Sequence, residues 1–179
     1  YKWHADGEAS FVTGQGEFSG RTAQFGDAND NDEIWMSSNK LIPFNENSLY
    51  EIEVRYKIDA ANMSTPLVYA GITAYASDGI TKVNAFGTDS FSSQHYFAAA
   101  GSNTLADGTD WIIKKGFFKG TASSGNGGAH NSDTDPGTIH QGALNGYITP
   151  MFVANFAVNP GPYSGTVQLD YIKITETGF

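Results

Sequence analysis

The sequence predicts an all-β chain folded as an antiparallel two-sheet β-sandwich of jelly-roll type, on three observations. In Leu49 to Ile58, LYEIEVRYKI, the residues Tyr50, Ile52, Val54, Tyr56 and Ile58 fall on one side and Glu51, Glu53, Arg55 and Lys57 on the other, the period of a strand with one dry and one wet face. Glycine is abundant, at 21 residues, while charged residues are sparse at 16%, the balance of short strands joined by tight turns. No stretch has the 3.6-residue period of an amphipathic helix.

The elements follow in order. Glu8 to Val12 offers a first strand, and GQGEFSG (Gly14 to Gly20) a turn; its glycines lack the buried strand and helix that a dinucleotide-binding loop requires. GDANDNDE (Gly26 to Glu33) is an Asx-rich loop. Asp27, Asn29 and Asn31 alternate as in a calcium loop, but Asp32 stands where the EF-hand needs Gly and Ser38 where it needs Glu.

Strands are expected at Ile34 to Ile42, Leu49 to Ile58 and Pro66 to Ala76, the last with Val68, Ala70, Ile72 and Ala74 facing inward and Tyr69, Gly71, Thr73 and Tyr75 outward. Ser77 to Ile80, SDGI, is a hairpin turn of the Asp-Gly kind. His95 to Ala100 and Trp111 to Lys119 are further strands, Gly120 to Leu144 a long polar loop, and Tyr147 to Phe156 and Thr166 to Thr175 the last two strands. Eight or nine strands in 179 residues suit one domain spanning 1–179.

Composition narrows the partners. A net charge of −9 repels phosphate backbones and anionic headgroups, so neither nucleic acid nor a membrane surface is the expected partner. Without cysteine there is no disulfide frame and no thiolate zinc site. A chain that starts at Tyr1 is read as a domain excised from a larger protein.

Three segments carry a resemblance: SLYEIEVRYKI with PLVYAGITAYASDG, SFSSQHYFAAAG with WIIKKGFFKGTA, and GTVQLDYIKI. They resemble domains of bacteriophage tail and other virion structural proteins, which are similar in turn to jelly-roll carbohydrate-binding modules, over Ile34 to Ile174. The resemblance implies a virion or extracellular setting and a carbohydrate partner. In the carbohydrate-binding relatives a last-strand Asp meets a structural calcium near the first strand, which implies Asp170 as a ligand, with Glu8 and Asp6 as its partners; the usual aromatic-acidic pair is absent, since Phe11 is followed by Val12. By strict alternation Asp170 shares a face with Ile172 and Ile174, and a carboxylate there needs a cation or hydrogen-bond donors.

No pattern supports catalysis. There is no G-x-S-x-G elbow and no carboxylate pair that can be named, and His130, Asp133, Asp135 and His140 in the long loop lack zinc spacing. Sugar binding needs rings that stack on a pyranose, flanked by hydrogen-bonding groups. Tyr75, Gln94, His95, Tyr96 and Trp111 are the expected ligand-binding residues, with the ordinary alternative that each ring finishes the core with its polar tip outward. The competing functional reading is a capsid or tail decoration domain that mediates assembly as a homo-oligomer; a polysaccharide-degrading enzyme ranks behind both.

Overall fold

The computed structural model describes residues 3–6, 9–18, 20–25, 33–60, 67–83, 95–96, 108–123, 130–155 and 165–178. Its strands are β1 (Trp3–Asp6), β2 (Ala9–Thr13), β3 (Arg21–Phe25), β4 (Glu33–Ser38), β5 (Ile42–Pro43), β6 (Leu49–Ala60), β7 (Leu67–Tyr75), β8 (Lys82–Val83), β9 (His95–Tyr96), β10 (Gly108–Ala122), β11 (Gly137–His140), β12 (Tyr147–Asn155) and β13 (Gly165–Thr177). A seven-stranded sheet runs β1-β4-β12-β7-β8, with β5 on β12 and β9 on β7, and a six-stranded sheet runs β11-β10-β6-β13-β3-β2. Among the described residues every strand pairing is antiparallel except β10 with β11, which is parallel. The predicted sandwich of two mainly antiparallel sheets is therefore what the chain builds.

The core is where the sheets face each other. Ile52, Val54, Tyr56 and Ile58 of β6 meet Val68, Ala70, Ile72 and Ala74 of β7 with Ile148, Phe152 and Ala154 of β12, all buried in one cluster. Tyr50 and Phe118 stack within it, ring centroids 5.0 Å apart and planes 8° from parallel. The Tyr50 hydroxyl accepts the Asn45 N–H at 2.9 Å, so this buried phenol has its polar tip satisfied.

Three expectations change. The strand read as Ile34 to Ile42 breaks at 39–41 into β4 and β5. The long loop from Gly120 is shorter than predicted, because β10 continues to Ala122 and β11 follows at Gly137–His140. His95 to Ala100 is a strand at His95–Tyr96, the rest lying outside the described residues. The Asp-Gly hairpin forms as read: Gly79 takes φ +67°, and Asp78 accepts the Ile80 and Thr81 amides.

Candidate functional site: the outer face of the six-stranded sheet

Strand β6 is paired on both sides, by β10 from Leu49 to Ile58 and by β13 from Leu49 to Ala60, so its outward residues become the middle of a lattice. The register sets three rows across it: Ile113, Arg55 and Tyr171; Lys115, Glu53 and Lys173; Phe117, Glu51 and Thr175. Side chains within a row are about 5 Å apart and rows about 7 Å apart.

Two bulges then depart from strict alternation. In β10 the register shifts between Gly108 and Ile112, and in β13 between Leu169 and Tyr171. The first sets Trp111 beside Arg55, whose guanidinium carbon lies 4.3 Å from the centre of the indole ring. The second adds Asp170 to the strand, so that Asp170 and Tyr171 both lie opposite Arg55.

Arg55 is the hub of the face. Its Nη1 donates to Asp170 Oδ2, and its Nε stands 3.5 Å from the Glu17 carboxylate. The Glu17 backbone N–H donates to the same Asp170 oxygen at 3.0 Å, pinning the β2–β3 turn to the sheet. Phe18, next in that turn, lies against Tyr171 with ring centroids 5.2 Å apart.

A second network adjoins it. Lys115 Nζ donates to Glu51 at 2.8 Å and reaches Glu53 at 3.0 Å, and the Tyr171 hydroxyl donates to Glu53 at 2.8 Å. Burial pushes the Glu53 carboxyl up, but hydrogen bonds from Lys115 and Tyr171 outweigh it and hold the group below its ordinary value. Burial and the Glu53 carboxylate push the Tyr171 phenol up to about 12, and the two carboxylates raise Lys115.

The expected calcium ligand Asp170 is placed differently. Its side chain is 1% exposed, yet the bulge turns it toward Arg55 on the outer face, away from Ile172 and Ile174, and a guanidinium supplies the opposite charge. Glu8 lies outside the described residues, and Asp6 belongs to β1 in the other sheet, where its side chain is not described. Asp170 thus has its charge matched by Arg55, while the two partners expected with it around a calcium have no described side chains. Among the described residues no group of three His, Cys, Asp or Glu gathers to hold a metal. His130 Nδ1 lies 3.0 Å from the Asp135 carbonyl and His140 Nδ1 accepts the Gly142 N–H, so both shape their own turns.

The expected sugar-binding residues divide between the two sides of the sandwich. Trp111 lies on the outer face of the six-stranded sheet, whereas Tyr75 is half-buried on the outward side of β7. Tyr96 and His95 pair with Gly71 and Ile72 in that same seven-stranded sheet, and Gln94 lies outside the described residues. Of the four described, Trp111 thus lies in one sheet and Tyr75, His95 and Tyr96 in the other. Arg55, Glu53, Lys115 and Tyr171 around Trp111 went unselected because their association depends on strand register, which alternation alone does not give.

A cleft of about 670 Å³ also opens between the sheets, lined by Phe11, Ala23, Met36, Ile42, Leu169 and Ile172 among others. Asp170 is its sole lining carboxylate among the described residues and is already engaged by Arg55. Arg21, Lys40 and Lys173, with the hydroxyls of Thr22 and Ser38, also line the cleft.

No protein-family model matches the chain, and no curated protein matches it in sequence. Among solved structures it is similar to the CBM22-1–GH10 modules of endo-1,4-beta-D-xylanase 10B from Clostridium thermocellum, complexed with xylohexaose, with 12% identity and a TM-score of 0.54 over 98% of this chain and 26% of that one. It is similar to the CBM22-1–CBM22-2 tandem domain of Paenibacillus barcinonensis Xyn10C, with 13% identity and a TM-score of 0.52 over 97% of this chain and 41% of that one. A third likeness is to the enzymatically active domain of tailspike protein 4 from bacteriophage CBA120, with 9% identity and a TM-score of 0.51 over 98% of this chain and 19% of that one. At such identities the likeness is one of fold, and the chain spans well under half of each of these structures. The fold it shares with them is the jelly-roll β-sandwich.

Proposed function

We propose that this chain is a non-catalytic glycan-binding domain that takes its ligand on the outer face of the six-stranded sheet, with Trp111 as the stacking ring. The observation that carries this reading is the seating of Trp111: one face of the indole rests on the Arg55 guanidinium, which Asp170 and Glu17 fix in turn. A ring held that way is preorganised, so a sugar that stacks on it does not first have to order it. Glu51, Glu53, Lys115 and Tyr171 provide donors and acceptors for hydroxyl groups within the neighbouring rows. The shared fold with the CBM22-containing xylanase structures supports the reading, and the likeness to the tailspike domain supports a virion or extracellular setting.

Affinity electrophoresis in gels containing different polysaccharides tests it. The native chain is expected to be retarded by at least one polymer, and Trp111→Ala to lose about tenfold or more in affinity while unfolding at nearly the same denaturant concentration. Equal retardation of the variant would move the site elsewhere. Failure on every glycan, together with a stable trimer in sedimentation, would favour the assembly reading instead, to which the exposed rings of Phe11 (68%) and Phe18 (76%) would then belong.

A further inference from the structure

Charge is distributed unevenly over the sandwich. The strands of the six-stranded sheet hold seven of the ten Lys and Arg residues but only six of the nineteen Asp and Glu residues. At physiological salt a charge is felt over about 8 Å, so the potential at Trp111 is set by its own sheet together with Glu17 of the turn beside Arg55.

Within that sheet the cations differ in how they are matched. Arg55 is held by Asp170 and Glu17, and Lys115 by Glu51 and Glu53. Lys57, one outward position further along β6, makes no hydrogen bond or ion pair among the described residues. Its row is set by register: Gln168 of β13 lies opposite on one side, and on the other the bulged segment between Gly108 and Ile112 brings Trp111 alongside. Asp110, in that same bulge, is exposed and forms no ion pair with it. Among the described residues, then, no carboxylate pairs with this ammonium, which stands beside the ring on which the proposed ligand stacks.

We propose that Lys57 makes this face selective for acidic glycans, its ammonium pairing with the carboxylate of a uronic-acid residue stacked on Trp111. The inference rests on the glycan-binding reading above and goes beyond it by naming the chemical class of the sugar. Two geometric features support it: Arg55 and Lys115 are already matched by carboxylates of this face, and of Lys57 and Lys173, neither of which forms an ion pair among the described residues, Lys57 stands in the nearer row to Trp111.

The test uses polygalacturonate and the same polymer after chemical reduction of its carboxyl groups. The native chain is expected to bind the polyuronate more tightly than the reduced polymer, with a preference that narrows as salt is raised. Lys57→Gln should weaken polyuronate binding by about fivefold, so that the two polymers converge. Trp111→Ala should weaken both. Equal binding of the two polymers by the native chain, or an unchanged preference in Lys57→Gln, overturns the inference and leaves glycan binding standing. Retention by neither polymer nor any other glycan overturns both.

Discussion

The outward sides of the two sheets contrast sharply. On the six-stranded sheet the outward side of β6 and β10 carries Glu51, Glu53, Arg55 and Lys115, which are wholly or partly open to solvent and are matched through ion pairs and a phenol. On the seven-stranded sheet Thr149, Met151 and Val153 point away from the core residues Ile148, Phe152 and Ala154, yet all three are fully buried. Thr149 satisfies its hydroxyl by donating to the Ser38 carbonyl at 2.7 Å. Thus β12 is dry on both sides and β6 on one. The lesson is that alternation tells a strand's two sides apart, but only composition tells whether the second side meets water: YITPMFVAN is a nearly unbroken apolar run, whereas LYEIEVRYKI is not.

Variants can break or sharpen this contrast. The largest effect is expected at the hub of the polar face, where Arg55→Ala leaves the Asp170 carboxylate buried without its cation and should cost about 3–5 kcal/mol, read from urea unfolding. A loss below about 1 kcal/mol would mean that Asp170 finds another donor or reaches solvent. Next comes a matched pair of truncations. Met151→Ala, on the buried outward side of β12, should cost about 3 kcal/mol, while Ile113→Ala, 50% exposed on the polar face, should stay within about 0.5 kcal/mol. Similar costs for the two would erase the distinction drawn between the sheets.

The smallest effect concerns Tyr171 and Glu53. Tyr171→Phe removes one partly buried hydrogen bond to a carboxylate and should cost about 1 kcal/mol at neutral pH. Because the folded state lowers the Glu53 pKa, the stability it lends is complete above the unfolded value of about 4.3 and is lost as pH falls through the lower folded value. The phenol behaves oppositely: raised to about 12, it lends stability that is full below its unfolded value of about 10 and fades as pH climbs toward 12. The difference in melting temperature between wild type and variant should therefore shrink at both ends of the pH range. A constant gap would mean that the hydroxyl's contribution does not come from its hydrogen bond to the Glu53 carboxylate.

Much of the fold could be read from the residues, because β6, β7 and β12 carry their periodicity on their faces and Asp78-Gly79 announces its hairpin. The short β3 and β8, with five and two residues, were too brief for a period to be seen. The site was harder to find. Trp111 could be selected for its chemistry, but Asp170 and Arg55 stand 115 positions apart and meet only because β13 pairs with β6 through a bulge that no local pattern marks. Tyr75 and Trp111 looked equivalent in sequence for a similar reason: alternation gives the side of a strand, never which sheet the strand joins.

The extra residue in β13 also bears on how this chain tolerates change. Upstream of it Val167 and Leu169 face inward, and downstream Ile172 and Ile174 do, so odd positions are dry in the first half of the strand and even positions in the second. Removing Asp170 would leave Val167, Leu169, Ile172 and Ile174 in strict alternation, so the core side of the strand does not need the extra residue; what would go is the carboxylate that meets Arg55. The bulge is therefore kept for its side chain and not for the strand's alternation, and its loss should be felt at Arg55 and the β2–β3 turn before it is felt in the core.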